Sequence, residues 1–240
     1  PIKQFEGVFD GLVHTINGLY IEKDSSGAGL FYSTRRATIK NVDLTNLEII
    51  GDGNVGGLIG STYSSTTINN VYTAGTITNT DSSNNIGGLI GKSGATINNS
   101  ASTVDVIGKE DRIGGLVGYN TDGTIKNSYA EGDVSGSEKV GGLVGSNSGY
   151  ISHSYAEGDV SGSKTVGGLV GELRYTASVE NSYAEGNVSG SEEVGGLVGS
   201  TLNPIIDSYA TGNVSGSKLI GGLVGYVDRG SIKNSYATGN

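Results

Sequence analysis

The tripeptide Gly-Gly-Leu begins at Gly56, Gly87, Gly114, Gly141, Gly167, Gly195 and Gly221, in steps of 31, 27, 27, 26, 28 and 26 residues, with a degenerate first copy at Ala28-Gly29-Leu30. Eight short units of this kind cannot each enclose a core, so they must stack and share one. Two further landmarks keep the same period. Asn41, Asn70, Asn99, Asn127, His153, Asn181, Asp207 and Asn234 form one column, which heads Ser-Tyr-Ala in the last five copies. The segment Gly132-Asp133-Val134-Ser135-Gly136-Ser137 recurs at 158–163, 186–191 and 212–217.

Helical repeats do not fit, because no stretch holds i, i+3, i+4, i+7 apolar spacing and the 43 glycines would each cost about 1 kcal/mol inside a helix. A propeller blade needs about 40 to 45 residues. Three short strands with three turns use about 24 to 30, the length of one coil of a parallel β-helix whose coils pair at about 4.8 Å. The expected fold is therefore all-β, a parallel β-solenoid of about eight coils and about 27 residues per coil. Residues 1–27 form its lead-in segment and 28–240 its repeats. In such a rod equivalent residues lie above one another. The Asn column should hydrogen-bond from coil to coil. Ile125, Ile151, Val179, Ile206 and Ile232, with Val134, Val160, Val188 and Val214, should fill the interior. Glu138, Lys164, Glu192 and Lys218 should stack with alternating sign.

Composition narrows the chemistry. The chain has no cysteine, which removes disulfides, thiolate nucleophiles and cysteine-zinc sites. A formal charge of −9 opposes nucleic acid as a primary partner. The apolar runs are too short to span a membrane as a helix, and no basic-then-apolar targeting pattern opens the sequence. Gly51-Asp52-Gly53-Asn54-Val55-Gly56 satisfies a dinucleotide pattern but leads into the repeat's own strand, where that pattern needs a helix. His14 and His153 are the two histidines, and neither belongs to a zinc pattern. Glu131, Glu157 and Glu185, like Asp105, Asp133 and Asp159, repeat with the coil, which marks turn residues where a catalytic pair would be unique. No cofactor is expected.

The Gly-Gly-Leu-Val-Gly cores followed by Asn-Ser-Tyr-Ala-x-Gly-x-Val-Ser-Gly resemble the GLUG repeat family, and Phe5 to Leu19 resembles the segment that precedes such arrays. That family occurs in large secreted bacterial surface proteins, among them filamentous-haemagglutinin-like adhesins and the N-terminal regions of immunoglobulin-cleaving metallopeptidases. The resemblance implies an extracellular or cell-surface scaffold and carries over no catalytic residue. Asp43, Ala101 and Gly29 depart from the motif.

The expected function is a non-catalytic structural and adhesive segment of a secreted or surface-exposed bacterial protein, presenting flanking domains or its own side. A recognition module for glycan or protein on one loop-bearing edge is the alternative, and a polysaccharide-active enzyme ranks third. The expected partners are a host or neighbouring-cell surface protein or glycan and the flanking domains of a longer parent chain. The segments after Gly-Leu-Val/Ile-Gly vary in length while the rest of the unit is constant, and in repeat proteins such insertions gather on one face. They hold Tyr63, Tyr119, Tyr150, Arg174, Tyr175, Tyr226 and Arg229, residue types enriched in binding hot spots. Arg174 and Tyr175 are expected to be the most prominent contact.

Overall fold

Val and Ile at alternate positions, interrupted by Gly and Asn, favour short strands joined by tight corners. The computed structural model describes residues 2–23, 27–63, 65–79 and 85–240. No described residue is helical, and strands of successive units pair in parallel. Ile125 pairs with Ile151, Ile151 with Val179, Val179 with Ile205 and Ile205 with Ile232. One unit is thus one coil, and the chain is a parallel β-solenoid of about eight coils. The lead-in strand Ile2–Asn17 lies on Phe31–Gly51 as a further parallel layer, with Phe5 and Phe9 packed 5.0 and 5.5 Å from the Phe31 ring.

Each regular coil holds five strands where the sequence suggests three. In the coil from residue 138 these are Glu138–Gly141, Val144–Asn147, Tyr150–Ser152, Tyr155–Ala156 and Val160–Ser161. The first belongs to a seven-stranded sheet and the others to the main sheet. A left-handed residue at His153 (φ 50°) and the turn at Glu157-Gly158 make the extra breaks. The Gly-Gly corner has a steric cause: a Cβ at Gly142 would lie 2.2 Å from the carbonyl oxygen of Gly168 and 2.8 Å from the Ala156 Cβ.

The interior is a set of stacked columns. Val140, Leu143, Val144, Ile151 and Val160 are each at most 1% exposed, and burying such a side chain contributes about 1.5–3 kcal/mol. One expected member is misplaced. Ile205, not Ile206, occupies the isoleucine column, while Ile206 is half-buried opposite Glu180. In every regular coil the interior residue stands two positions before the left-handed corner, and for Asp207 that position is 205.

Candidate functional site

The Asn column is first a conformational requirement. Asn41, Asn70, Asn99, Asn127, His153, Asn181, Asp207 and Asn234 all have φ between 47° and 54°, a region that Asn, Asp and His tolerate best among residues with a Cβ. The expected ladder is only partly made. Asn70 donates to Asn41 Oδ1 (2.9 Å), Asn127 to Asn99 (3.4 Å) and Asn234 to Asp207 (2.9 Å), but Asn99 donates to Asn69 (3.2 Å). The continuous ladder is made by the serine that follows. Ser128 N–H donates to Ser154 Oγ, Ser154 N–H to Ser182 Oγ and Ser182 N–H to Ser208 Oγ, each at 3.2 Å. Each hydroxyl in turn donates to a carbonyl two residues back, as Ser154 does to Ser152 at 2.9 Å. The serine of Asn-Ser-Tyr-Ala therefore closes the corner from inside.

The tyrosines outside that corner stack. Rings of Tyr129, Tyr155, Tyr183, Tyr209 and Tyr236 follow at 4.8, 4.8, 4.9 and 5.3 Å, tilted by only 2° to 8°. Face-on stacking turns ring edges and hydroxyls to solvent, so the ridge offers no flat platform along its length. Burial, followed by the neighbouring phenols Tyr129 and Tyr183, pushes Tyr155 up to about 12.

The repeated acids are turn residues. Asp105 Oδ1 accepts from Asp133 N–H (3.0 Å), Asp133 Oδ1 from Asp159 N–H (2.9 Å) and Asp159 Oδ1 from Asn187 N–H (2.8 Å). Glu157 is raised above the ordinary carboxylate range, first by desolvation and then by Glu131 and Glu185 on either side. Glu138, Lys164, Glu192 and Lys218 stand in direct register. Only the Glu192–Lys218 step closes as an ion pair, and it holds Glu192 below and Lys218 above their usual ranges. Gly51 to Gly56 belongs to the coil and runs on to the strand Ile59–Thr62.

The variable loops follow strands that share one column: Ser61, Lys92, Tyr119, Ser146, Glu172, Ser200 and Tyr226 pair successively. The loops therefore line one edge, although Ser64 in the first of them lies outside the described residues. The seven tyrosines and arginines expected there do not converge. Tyr119 and Tyr226 share a column four coils apart, Tyr150 begins the next strand opposite Thr124 and Ser178, and Tyr63 follows Thr62 on an earlier coil. Tyr175 is 67% exposed. Arg174 lies 5.2 Å over its ring and 3.7 Å from Glu172, and Arg229 pairs with Asp228 at 3.1 Å. These two cations are thus neutralised within their own loops.

Three features of this edge escape the sequence reading. A buried amide pair, Asn120 and Asn147, bonds across coils at 2.7 Å and closes the turn to Gly123. A bulge column, Arg112, Lys139, Thr165, Glu193 and Leu219, has φ of 51° to 61° ahead of each glycine pair. Its signal is five different residues at one point of a nearly constant unit. It adjoins the loop edge, since Arg112 covers Tyr119 at 4.9 Å. Arg35 and Arg36 occupy the first coil's version of the same corner, between the pairs Thr34–Thr62 and Thr38–Thr67.

Residues 111–135, 136–161, 162–189 and 216–240 match the family model of the GLUG motif. These are GLUG repeats. Residues 190–215 lie between matched units and stack on them in the same register. A stretch of 89 residues, 36% of the chain, is 39% identical to Halomucin of Haloquadratum walsbyi and covers 1% of that protein. The fold resembles the crystal structure of a candidate immunoglobulin A1 protease from Bacteroides ovatus, with a TM-score of 0.50 and 18% identity over 95% of this chain and 68% of that one. GLUG repeats on a β-solenoid fit a structural domain.

Proposed function

We propose that this GLUG solenoid is a non-catalytic structural and adhesive segment of a secreted or surface-exposed bacterial protein. The observation that carries this reading is the division of each coil into constant and variable columns. Side chains that repeat, the inner serines, stacked tyrosines and aspartate rungs, satisfy the rod's own backbone and packing. Differences in length fall on the loop edge, and its residues vary together with the bulge column beside it and the exposed columns that begin at Lys126 and Glu138. A rod that holds its core by repetition is free to vary one edge, as repeat proteins do on their binding faces. The mucin name of one relative and the fold of the other are consistent with a surface setting. Beads coated with the chain should adhere to host or neighbouring cells, and the adhesion should fall when the variable edge is altered. Equal adhesion by uncoated beads would contradict the adhesive role.

A recognition role for the expected contact set rests on the exposure of Tyr175 and Tyr226. Replacing both Arg174 and Tyr175 by Ala should weaken binding if that loop is the contact, and unchanged adhesion would remove the pair from it.

A further inference from the structure

The first coils carry their cations differently. Arg35 and Arg36 are exposed at the loop corner and Lys92 is exposed two coils further on; none of the three makes an ion pair among the described residues. Lys92 pairs in register with Tyr119, whose ring lies under Arg112. Lys139 follows, and Asp111 pairs with both it and Arg112, at 2.8 and 3.5 Å. The Nε of Arg112 is buried and has no hydrogen-bond partner. Five cations thus follow one edge over four coil steps, about 19 Å at ~4.8 Å per step. Asp111 offsets Arg112 and Lys139, and Asp122 lines the groove beside Lys92, which leaves Arg35, Arg36 and Lys92 without an ion pair among the described residues. In a chain of net charge −9, such a strip concentrates positive potential on one face.

Beside Lys92 runs a groove of about 300 Å³ lined by Ser61, Thr62, Tyr63, Lys92, Thr121 and Asp122. Its walls are hydroxyls, one carboxylate, one ammonium and a tyrosine that is 59% exposed. A protein hot spot is centred on an apolar, desolvated pocket; this groove instead suits a ring carrying several hydroxyls and an anionic substituent. We propose that the edge from Arg35 to Lys92 binds an acidic polysaccharide, with a sugar ring in the Ser61–Thr121 groove and its carboxylate or sulfate groups on Arg35, Arg36 and Lys92. The proposal rests on the adhesive reading of this edge and names its ligand class.

The whole chain should be titrated with polygalacturonate, chondroitin sulfate, neutral dextran and duplex DNA at two salt concentrations. Binding to at least one acidic glycan is expected, the carboxylate and sulfate arms showing which anion is preferred. It should weaken at higher salt, while dextran does not bind. The triple variant Arg35→Gln, Arg36→Gln, Lys92→Gln changes exposed side chains and should keep the parent's melting temperature while losing at least tenfold in affinity. Lys233→Gln, at an exposed cation on the last coil, should change nothing. Absence of acidic-glycan binding, an unaffected triple variant, or DNA binding as tight as glycan would overturn the proposal. Should cell adhesion persist in the triple variant, the ligand class fails and the adhesive reading stands; should coated and uncoated beads behave alike, the adhesive reading itself fails.

Discussion

The coils from residue 111 onward and those before it are built on the same frame and stabilised differently. In the later coils the tyrosine column is complete and its rings stack without interruption. In the earlier coils the same register runs Asp43, Tyr72, Ala101, and Tyr72 bonds through its hydroxyl to Thr103 at 2.6 Å. Strands there are long, 21 residues for Phe31–Gly51 and 13 for Thr67–Asn79, with a register shift between Leu44 and Leu47. The later coils pair Arg174 and Arg229 within their loops; the earlier ones leave Arg35 and Arg36 exposed. Repetition stabilises the rod, and departures from it release side chains for other work.

The comparison can be broken most severely at the glycine corner. Gly142→Ala would drive a Cβ against the Gly168 carbonyl and the Ala156 methyl, and backbone contacts that close are not relieved by a rotamer change. A loss of about 3 kcal/mol or more is expected in urea unfolding. Gly7 has open space but a φ of 112°, so alanine there should cost less, through local strain alone.

A moderate effect should separate the two tyrosine regimes. Tyr155 has a stacked neighbour on each side, and aromatic pairs contribute about 0.5–1.5 kcal/mol each beyond burial. Tyr155→Phe should therefore be nearly neutral, since the ring stack remains, whereas Tyr155→Leu should cost about 1–3 kcal/mol. Tyr72→Phe should show the opposite dependence, losing about 0.5–1.5 kcal/mol with its hydroxyl bond to Thr103. Equal responses of the two sites would erase the distinction.

The smallest effect tests the like-charge glutamates. Because the folded carboxyl of Glu157 is raised, folding favours its protonated form, and its unfavourable contribution appears as pH rises through the carboxylate range and persists at neutral pH. Glu157→Gln should raise the melting temperature slightly at pH 7, by no more than about 0.5 kcal/mol in stability at this exposed position. The gain should vanish below the unfolded carboxylate range. A gain that grew on acidification would have the wrong sign.

The solenoid and its period were legible because Gly-Gly-Leu and Asn-Ser-Tyr-Ala repeat almost without change. The charge column was legible for the same reason. The placement of Ile206 was misread because two isoleucines stand side by side before Asp207, and only the left-handed corner decides which points inward. The loop edge was only half legible. Loop variability located it, but Arg35 and Arg36 lie in a strand-rich first coil whose motif is degenerate, and the bulge that aims Arg112 at Tyr119 is a backbone feature with no residue type of its own.

The fold stands on one repeat unit advancing the rod by one coil in constant register. Lys126 and Lys233 are exposed and stand four steps apart in the column Lys126, Ser152, Glu180, Ile206, Lys233. The chain has no cysteine, so Lys126→Cys with Lys233→Cys admits spin labels at these two places alone. Pulsed dipolar spectroscopy should give one narrow distance near 19 Å, widened only by the label arms, as four steps of ~4.8 Å require. A broad distribution, or a separation beyond about 35 Å, would contradict the stacked-coil account.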